Sequence, residues 1–402
     1  MNTSSKHRVL FVSEGYPPTS GGVATSAQRV ARNLVRLGCE VMLLTFDNSQ
    51  PLTNEDYLVC EDDNGVQVRR MGPFFLKQPT AGIELSEKIR AIFRRRAFDQ
   101  MLTLAQSFQP TVVLSFYLLN AGLLAAYLAR AVSAPYVAGV RGNDIGRNIF
   151  SVDRLAAVRL VVDSADRIVC VNQHLRQRLL LAFPEAGSRS SVIVNGLELP
   201  INCLPKPARP YLDVNTNWSA REPVAVFIGA PREKKGIACL LHAVELVRAH
   251  IPLRLLIVGP ALGAVEERQC GMAWSQLIDC NAIHVTGHQD RATALQIAAE
   301  GDIVVMPSIE DGMANGLLEG MALGLVPVAS DLFSDVVVSD SAGWLVKRNS
   351  AEALAAALVE AGMSQEQRSK RATEAQKLIA KNHQPAGEAS AYVALFKELR
   401  AQ

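Results

Sequence analysis

Short apolar runs, each bounded by polar residues or glycine and followed by a helical pattern, recur along most of this chain. The first run is Arg8–Ser13, and apolar residues then recur at helical spacing from Val23 to Val35 before the next run at residues 40–45. Continuous apolar runs of this length predict strands buried on both faces, and their alternation with helices predicts parallel sheets covered by helices. The predicted fold class is therefore α/β.

The same pattern predicts two groups of further strands: residues 111–115, 136–140 and 167–171, and then residues 223–229, 253–259, 282–286, 302–307 and 326–330. Between the groups, the prolines at 200, 205, 207 and 210 disfavour both helix and central strand, which predicts a linker over residues 206–222. Residues 1–205 and 223–384 are then two doubly wound domains of similar size. Ligands of such folds bind in crevices beyond the carboxyl ends of the strands, so we expect a cleft between the domains.

Composition excludes several classes of protein. With 41 Lys and Arg against 39 Asp and Glu, the net charge of +2 is too small to indicate nucleic-acid binding. Seven cysteines without a C-x-x-C spacing argue against zinc ribbons and a secreted disulfide framework, and the histidines lack partners at ligand spacing, so no metal site is expected. Residues 111–129 carry no charge, but Asn120 and Gly122 interrupt them, which favours strand, turn and helix over a membrane span. No signal peptide is visible, and the expected location is the cytoplasm.

Two glycine-containing loops are candidates for binding an anion. Ser20-Gly-Gly22 leads into the first predicted helix, whose N-terminal amides suit a phosphate, although a plain turn explains the same residues. Arg232 and Lys235 lie on the loop 229–236 directly after a predicted strand, where two cations can hold a diphosphate. The alternative for this second loop is a solvated basic turn before a helix.

A third loop, residues 307–324, combines glycines with carboxylates. Asn315 is predicted to cap the following helix, which places Glu319 one turn in and near Asp311. A carboxylate accepts hydrogen bonds through both oxygens and can therefore bind two hydroxyls of a ribose or a hexose, while the amides of the helix N-terminus bind phosphate. The alternative is a pair of carboxylates that only stabilise a helix start.

Taken in series, these segments resemble the retaining glycosyltransferases of family 4, which have the GT-B fold. The resemblance covers nearly the whole chain and, besides the three loops, includes Arg141-Gly-Asn-Asp144, Ala165-Asp-Arg-Ile-Val169, Val194-Asn-Gly196, Ala342-Gly-Trp-Leu-Val346 and Ala391–Leu399. It implies two Rossmann-like domains facing across a cleft, the first binding the acceptor and the second the donor. It also implies that a C-terminal helix at residues 385–402 crosses back to the first domain.

The resemblance further implies transfer of a sugar from a nucleotide-diphosphate donor to a glycan or glycolipid acceptor, with retention of anomeric configuration and without a metal or other cofactor. The implied catalytic residues are Asp311, Arg232, Lys235 and Arg141. The implied donor-binding residues are Gly22, Gly229, Gly287, Gly312, Asn315, Leu317 and Glu319, and the acceptor side comprises Gly21 and Asp144.

Four sites depart from the family pattern. Asp311 stands in place of the usual Glu, Ala230 in place of an Arg, Arg141 in place of a His, and Leu332-Phe333 in place of a Gly-Gly pair. Because an arginine cannot act as a base near neutral pH, we expect Arg141 to hold a phosphate or a sugar acid, and Arg232 to replace the missing Arg. These departures leave two alternatives open: another GT-B enzyme such as a nucleotide-sugar epimerase, and an inactive homologue that binds sugar nucleotides.

One basic segment has two interpretations. The pattern of residues Lys88–Phe98 predicts a basic amphipathic helix. Such a helix either contacts anionic lipid at the membrane surface or packs its apolar side on the sheet while its charges face solvent.

Overall fold

The computed structural model describes residues 6–19, 21–49, 57–72, 87–199, 209–337 and 341–401. The chain divides into two compact units, here called unit 1 (residues 1–196 and 385–402) and unit 2 (residues 197–384). It therefore passes from unit 1 to unit 2 after Gly196 and returns at Pro385. The first boundary lies nine residues earlier than the sequence-based one at 205.

Unit 1 is built on one eight-stranded sheet. Its strands are β1 (Arg8–Ser13), β2 (Glu40–Phe46), β3 (Leu58–Asp63), β4 (Val66–Met71), β5 (Val112–Phe116), β6 (Tyr136–Val140), β7 (Arg167–Cys170) and β8 (Ser190–Val192). Their order is β3-β4-β2-β1-β5-β6-β7-β8, and every described pairing is parallel except that of β3 with β4. β5 and β6 are buried at every position, as expected for central strands covered on both faces.

Unit 2 is built on a six-stranded parallel sheet. Its strands are β9 (Val224–Ile228), β10 (Arg254–Val258), β11 (Ile283–Val285), β12 (Ile303–Met306), β13 (Val326–Ser330) and β14 (Trp344–Val346). Their order is β11-β10-β9-β12-β13-β14. The strands are apolar and buried, and together with the helices beside them they form a single hydrophobic core for this unit.

Helices connect the strands. They are α1 (Gly22–Arg36), α2 (Glu87–Phe108), α3 (Ala121–Ala131), α4 (Asn143–Gly146), α5 (Val152–Ser164), α6 (Gln173–Ala182), α7 (Pro210–Asn215), α8 (Ile237–Arg248), α9 (Ala264–Cys270), α10 (Met272–Asp279), α11 (Arg291–Ala298), α12 (Asn315–Ala322), α13 (Ala351–Met363), α14 (Gln365–Asn382) and α15 (Pro385–Ala401). The last helix, α15, packs on α1 and adds Tyr392 and Phe396 to the core of unit 1.

Several elements differ from the sequence-based prediction, among them the hairpin β3–β4 and helix α7. The antiparallel hairpin β3–β4 was not predicted, although Asn64 and Gly65 at its turn both have positive φ, and Asn-Gly is a strong hairpin signal. Helix α7 lies inside the predicted linker. Its Pro210 occupies the first helical turn, where a missing N–H costs nothing, and the Glu300 carboxylate accepts the amides of Tyr211 and Leu212.

Candidate functional site

In each unit, most of the candidate residues follow strands that flank a reversal of strand order; Arg141 and Asp144 follow β6, and Gly287 follows β11. In unit 2 the chain runs outward from β9 to β10 and β11, and then returns to β12 on the other side of β9. In unit 1 the corresponding reversal separates β1 from β5. Ligands of open α/β sheets bind outside the carboxyl ends of strands at such switch points. The loops after β9 and β12, and those after β1 and β5, are therefore the places to look.

The loop after β9 positions a half-buried lysine. Residues Glu233–Lys235 form a short 3-10 helix that ends at Gly236, whose φ of 73° and close approach to the Pro307 carbonyl leave no room for a Cβ. The turn directs Lys235 back over Gly229, where a Cβ would lie 3.0 Å from Nζ. Burial lowers the pKa of Lys235, while the charges of Asp311 and Glu319 oppose that shift.

The loop after β12 is tied to the loop after β9. The carbonyl of Lys234 accepts hydrogen bonds from the amides of Ile309 and Glu310, at 2.9 and 3.0 Å. The Lys234 ammonium lies 4.0 Å from Oδ1 of Asp311, and this oxygen also accepts the amide of Gly312 at 2.9 Å. The two loops therefore hold the predicted catalytic Asp311 beside two lysines.

Glu319 is buried and already carries an ion pair. Its Oε1 accepts hydrogen bonds from Nε and Nη2 of Arg291 at 3.2 and 3.0 Å. Arg291 is the first residue of α11, where the helix dipole disfavours a cation, and the facing carboxylate offsets that cost. Nη2 of Arg291 also donates to the carbonyl of Glu198 at 2.7 Å.

The predicted cap of α12 needs correction. Asn315 is the first residue of α12 rather than its cap; Ala314 occupies the cap position. Leu317 lies fully buried in the core of unit 2, and its amide donates to the carbonyl of Ala314 at 2.9 Å. The donor contacts of Asn315 and Leu317 stay predictions. Gly287, at the end of β11, has a φ of 72° with open space where a side chain would stand, as a contact with a flat ligand requires.

The glycine loop of unit 1 opens α1 as expected. Gly21 occupies the cap position with a φ of 135°, a conformation that glycine adopts without strain, and its carbonyl accepts the amide of Thr25 at 3.1 Å. Gly22 is the first residue of the helix. Its neighbour Ser20 lies outside the described residues.

Arg141 is buried at the carboxyl end of β6. Its guanidinium carbon lies 3.4 Å from the centre of the Phe116 ring, and its Nη1 donates to Oδ1 of Asn195 at 3.1 Å. Among the residues that the structure describes, Nη2 has no hydrogen-bond partner. Burial lowers the pKa of this guanidinium, and Glu388 opposes the shift. The predicted contact of Arg141 with a phosphate or a sugar acid stays a prediction.

Asp144, which the resemblance assigns to the acceptor side, is fully buried, and its two oxygens accept the amides of Arg141 and Leu118 at 2.7 and 2.9 Å. Burial raises its pKa to about 6. Asp144 therefore joins the loops after β5 and β6, which makes it a support for Arg141.

Within the described ranges, no three His, Cys, Asp or Glu side chains are grouped so that they could hold a metal ion. Among the helices of the same ranges, none has the length and apolar character needed to cross a bilayer.

Two family models match successive parts of the chain. The model described as Glycosyltransferase Family 4 matches residues 20–199, and the one described as Glycosyl transferases group 1 matches residues 222–362. The chain is a family 4 glycosyltransferase. Its α/β fold, with two parallel-sheet units and a terminal helix that rejoins the first, is the GT-B fold.

Relatives and solved structures of this glycosyltransferase agree with that assignment. A glycosyltransferase of uncharacterized activity from Methanocaldococcus jannaschii is 23% identical, with 85% of this chain and 86% of the relative covered. TuaC of Bacillus subtilis, named for teichuronic acid biosynthesis, is 24% identical over 66% of this chain and 65% of its own. Anabaena HepE in complex with UDP-glucose has a TM-score of 0.74 at 15% identity, covering 98% of this chain and 100% of HepE.

Motif reasoning missed two residues of this glycosyltransferase at the candidate site of unit 2 and one at the switch point of unit 1. Lys234 and Arg291 contact the two predicted carboxylates, and nothing local in the sequence marks either one. Tyr117 follows β5 at the switch point with a φ of 78°, which is rare for a bulky residue and typical of functional sites. Only the position of Tyr117 directly after an apolar strand could have drawn attention to it.

Proposed function

We propose that this glycosyltransferase moves a sugar from a nucleoside diphosphate to a hydroxyl of a glycan or glycolipid, with retention of anomeric configuration, in polysaccharide-type biosynthesis. The observation that carries the proposal is the meeting of Lys235, Asp311 and Glu319 at the carboxyl ends of β9 and β12. The complex of HepE with UDP-glucose supports the donor class, and the name of TuaC supports the pathway class.

The roles follow from the chemistry of the donor. The bond between the anomeric carbon and the β-phosphate oxygen breaks through an oxocarbenium-like state, so negative charge grows on the departing diphosphate. Lys235, held over Gly229, and the exposed Arg232 stabilise that charge. Asp311 binds hydroxyls of the donor sugar, and Glu319 binds those of the ribose.

Transfer is completed by the acceptor, which we assign to unit 1. Its hydroxyl oxygen bonds to the anomeric carbon on the face that the diphosphate leaves, and its proton passes to the departing phosphate oxygen. Cationic side chains supply the charge stabilisation in this scheme, so we expect EDTA to leave the rate unchanged.

Two measurements identify the donor and test the class. A thermal-shift screen of UDP-, GDP-, ADP- and dTDP-sugars should show one group that raises the melting temperature, because ligands stabilise the state that binds them. Turnover of that donor with an acceptor panel supports transfer. Donor turnover without any acceptor would instead favour an epimerase, and donor binding without turnover would favour an inactive homologue.

The leaving-group role is tested by Arg232→Ala combined with Lys235→Ala. Loss of a preorganised donor to developing charge lowers turnover by roughly 10²–10³-fold. Arg221→Ala combined with Lys370→Ala removes two exposed cations of the same unit away from the carboxyl ends of β9 and β12, and should retain full activity. A rate near that of the wild type in the first pair would refute the assigned role.

The ribose role is tested by Glu319→Ala. Calorimetry should show weaker binding of the free nucleoside diphosphate, since the variant lacks both acceptor oxygens. An unchanged affinity would remove Glu319 from that role.

We also propose peripheral contact with anionic lipid through the helical face of unit 1 formed by α2, α3 and α5. Helix α3 packs between the other two. Ile92 on α2 and Leu155 on α5 are about half exposed, and Phe150 and Val152 at the start of α5 are exposed by 82% and 89%. Arg95 on α2 is also exposed. Apolar side chains beside arginines are the combination that binds an anionic surface.

Vesicle sedimentation tests this contact. The protein should bind vesicles of phosphatidylcholine with phosphatidylglycerol and not vesicles of phosphatidylcholine alone. Phe150→Ser combined with Val152→Ser should abolish binding, whereas Leu181→Ser, which changes an equally exposed leucine on α6, should not. Equal binding by all variants would contradict the proposed face.

A further inference from the structure

The four residues that carry the chain from unit 1 into unit 2 are all held by hydrogen bonds. We call residues 195–198 the crossover segment. In unit 1, Arg141 donates to the Asn195 side chain at 3.1 Å, and the amide of Gly196 donates to Oε2 of Glu388 at 2.9 Å. In unit 2, the amide of Leu197 donates to the carbonyl of His383 at 2.7 Å.

The fourth residue of the crossover segment, Glu198, is hydrogen-bonded to Arg291 of the candidate site. The carbonyl of Glu198 accepts Nη2 of Arg291 at 2.7 Å, and the same nitrogen donates to Oε1 of Glu319 at 3.0 Å. Nε of Arg291 donates to that oxygen as well, at 3.2 Å. One planar guanidinium therefore joins the buried carboxylate to the backbone of the crossover segment.

We propose that Arg291 is a positioning residue that orients Glu319 for the ribose and couples nucleotide binding to the crossover segment. The inference rests on the proposed ribose role of Glu319. With Oε1 fixed by Arg291, the remaining lone pairs of the carboxylate face the ribose hydroxyls. A bound ribose restrains Glu319, and through it Arg291 and the carbonyl of Glu198, so the crossover segment opens less often.

The geometry requires an arginine at this position. A guanidinium presents several N–H groups in a fixed plane and can serve the carboxylate and the carbonyl together. A lysine ammonium is a flexible point charge. It neutralises Glu319 but does not hold both acceptors in one arrangement. Arg291→Lys should therefore separate the affinity for nucleotide from the coupling.

The experiment combines calorimetry with hydrogen exchange on the full chain, using whichever of UDP, GDP, ADP and dTDP binds the wild type. In the wild type, saturating nucleotide should slow exchange of the amides of Gly196 and Leu197. Arg291→Ala should weaken nucleotide binding by roughly 10- to 100-fold, the range for one charge-assisted hydrogen bond. At saturation, nucleotide should leave the crossover amides of this variant unchanged.

Arg291→Lys should keep the affinity within a few-fold while losing the slower exchange, a combination that a purely structural role does not produce. For the same reason the donor KM of Arg291→Ala should rise more than its kcat falls. Arg268→Ala, which changes an arginine of α9 bonded only to its own helix in the described contacts, is the control and should behave as the wild type.

The possible failures are distinguishable. Wild-type affinity in Arg291→Ala, or crossover amides in the wild type that ignore bound nucleotide, would overturn the coupling and leave the proposed function standing. If none of the four nucleotides binds the wild type, the proposed function fails, and the inference fails with it.

Discussion

Replacing Glu388 by glutamine should destabilise unit 1 far more than an ordinary charge removal. Glu388 and Arg29 form a pair with side chains 1% and 5% exposed, joined by bonds of 2.8 and 3.3 Å. Glutamine keeps the volume and an acceptor for the amide of Gly196, but it leaves the guanidinium buried without its counter-charge. Breaking such a pair from one side costs about 3–5 kcal/mol, which for a unit of this size corresponds to roughly 6–20 °C in Tm.

The matched control is the exposed pair of Arg159 and Glu185 in the same unit. Their atoms are equally close at 3.2 Å, but the side chains are 53% and 45% exposed. Glu185→Gln should cost less than about 1 kcal/mol, because solvent already screens that pair. Arg29→Met combined with Glu388→Leu should recover part of the loss in Glu388→Gln, since neither member of the pair then stays charged and buried, although the amide of Gly196 loses its acceptor.

The assay uses the uneven placement of tryptophan. Trp218, Trp274 and Trp344 all lie in unit 2, so tryptophan fluorescence reports that unit, while far-UV circular dichroism reports both. In Glu388→Gln, the dichroism transition that reports unit 1 should occur at a lower urea concentration than in the wild type. The midpoint of the fluorescence transition, which reports unit 2, should shift less. A loss below about 1 kcal/mol, or equal losses in Glu388→Gln and Glu185→Gln, would refute the reasoning from burial.

Three further perturbations have outcomes that follow from single contacts. Asp144→Asn offers one oxygen to two amides and should cost about 1–3 kcal/mol in urea unfolding. Burial raises the pKa of Asp144 from 3.8 to about 6, so between these pH values the unfolded chain binds fewer protons than the folded one. The stability of the wild type should therefore fall as pH rises from 4 to 6, and this contribution should be missing in the variant. Gly236→Ala places a Cβ against the Pro307 carbonyl at a φ of 73° and should lower both the fluorescence midpoint of urea unfolding and the affinity for the donor. The control is Gly271→Ala, at a positive φ with open space, which should lower the midpoint less and leave the affinity unchanged. Ser350→Ala removes the cap bond to the amide of Ala353 and should cost about 1 kcal/mol, measured by fluorescence.

The sequence was sufficient for the elements whose signals are local. Apolar runs located the central strands to within about two residues, because strands buried on both faces have no polar positions to blur the pattern. Ser350 and Ser364 cap α13 and α14 by accepting the amides of Ala353 and Gln367, and a serine at the start of a helical pattern is a local signal of the same kind. The Asn-Gly turn of the hairpin β3–β4 is an equally local signal.

Contacts between residues that lie far apart in the chain could not be predicted from the sequence. Glu388 meets Arg29 across 359 positions, and Arg141 meets Asn195 across 54. Arg291 meets Glu319 across 28. No periodicity or cap relates such partners, since the fold alone brings them together. The loops that carry Asp311 and Lys235 were found, whereas the partners that fix their geometry were not.

The difference between residues that motifs mark and residues that contact the proposed site affects how variants of the enzyme should be tested. Asp144 and Leu317, which the motifs mark as ligand-binding, are buried and bonded to backbone groups of unit 1 and unit 2 respectively. Arg291, which no motif marks, touches the carboxylate proposed to bind the ribose. An alanine scan guided by motifs alone would therefore record loss of fold at the first two positions as loss of chemistry. Measuring unfolding beside each rate separates the two effects, because a positioning residue changes KM or coupling while the unit that carries it stays folded.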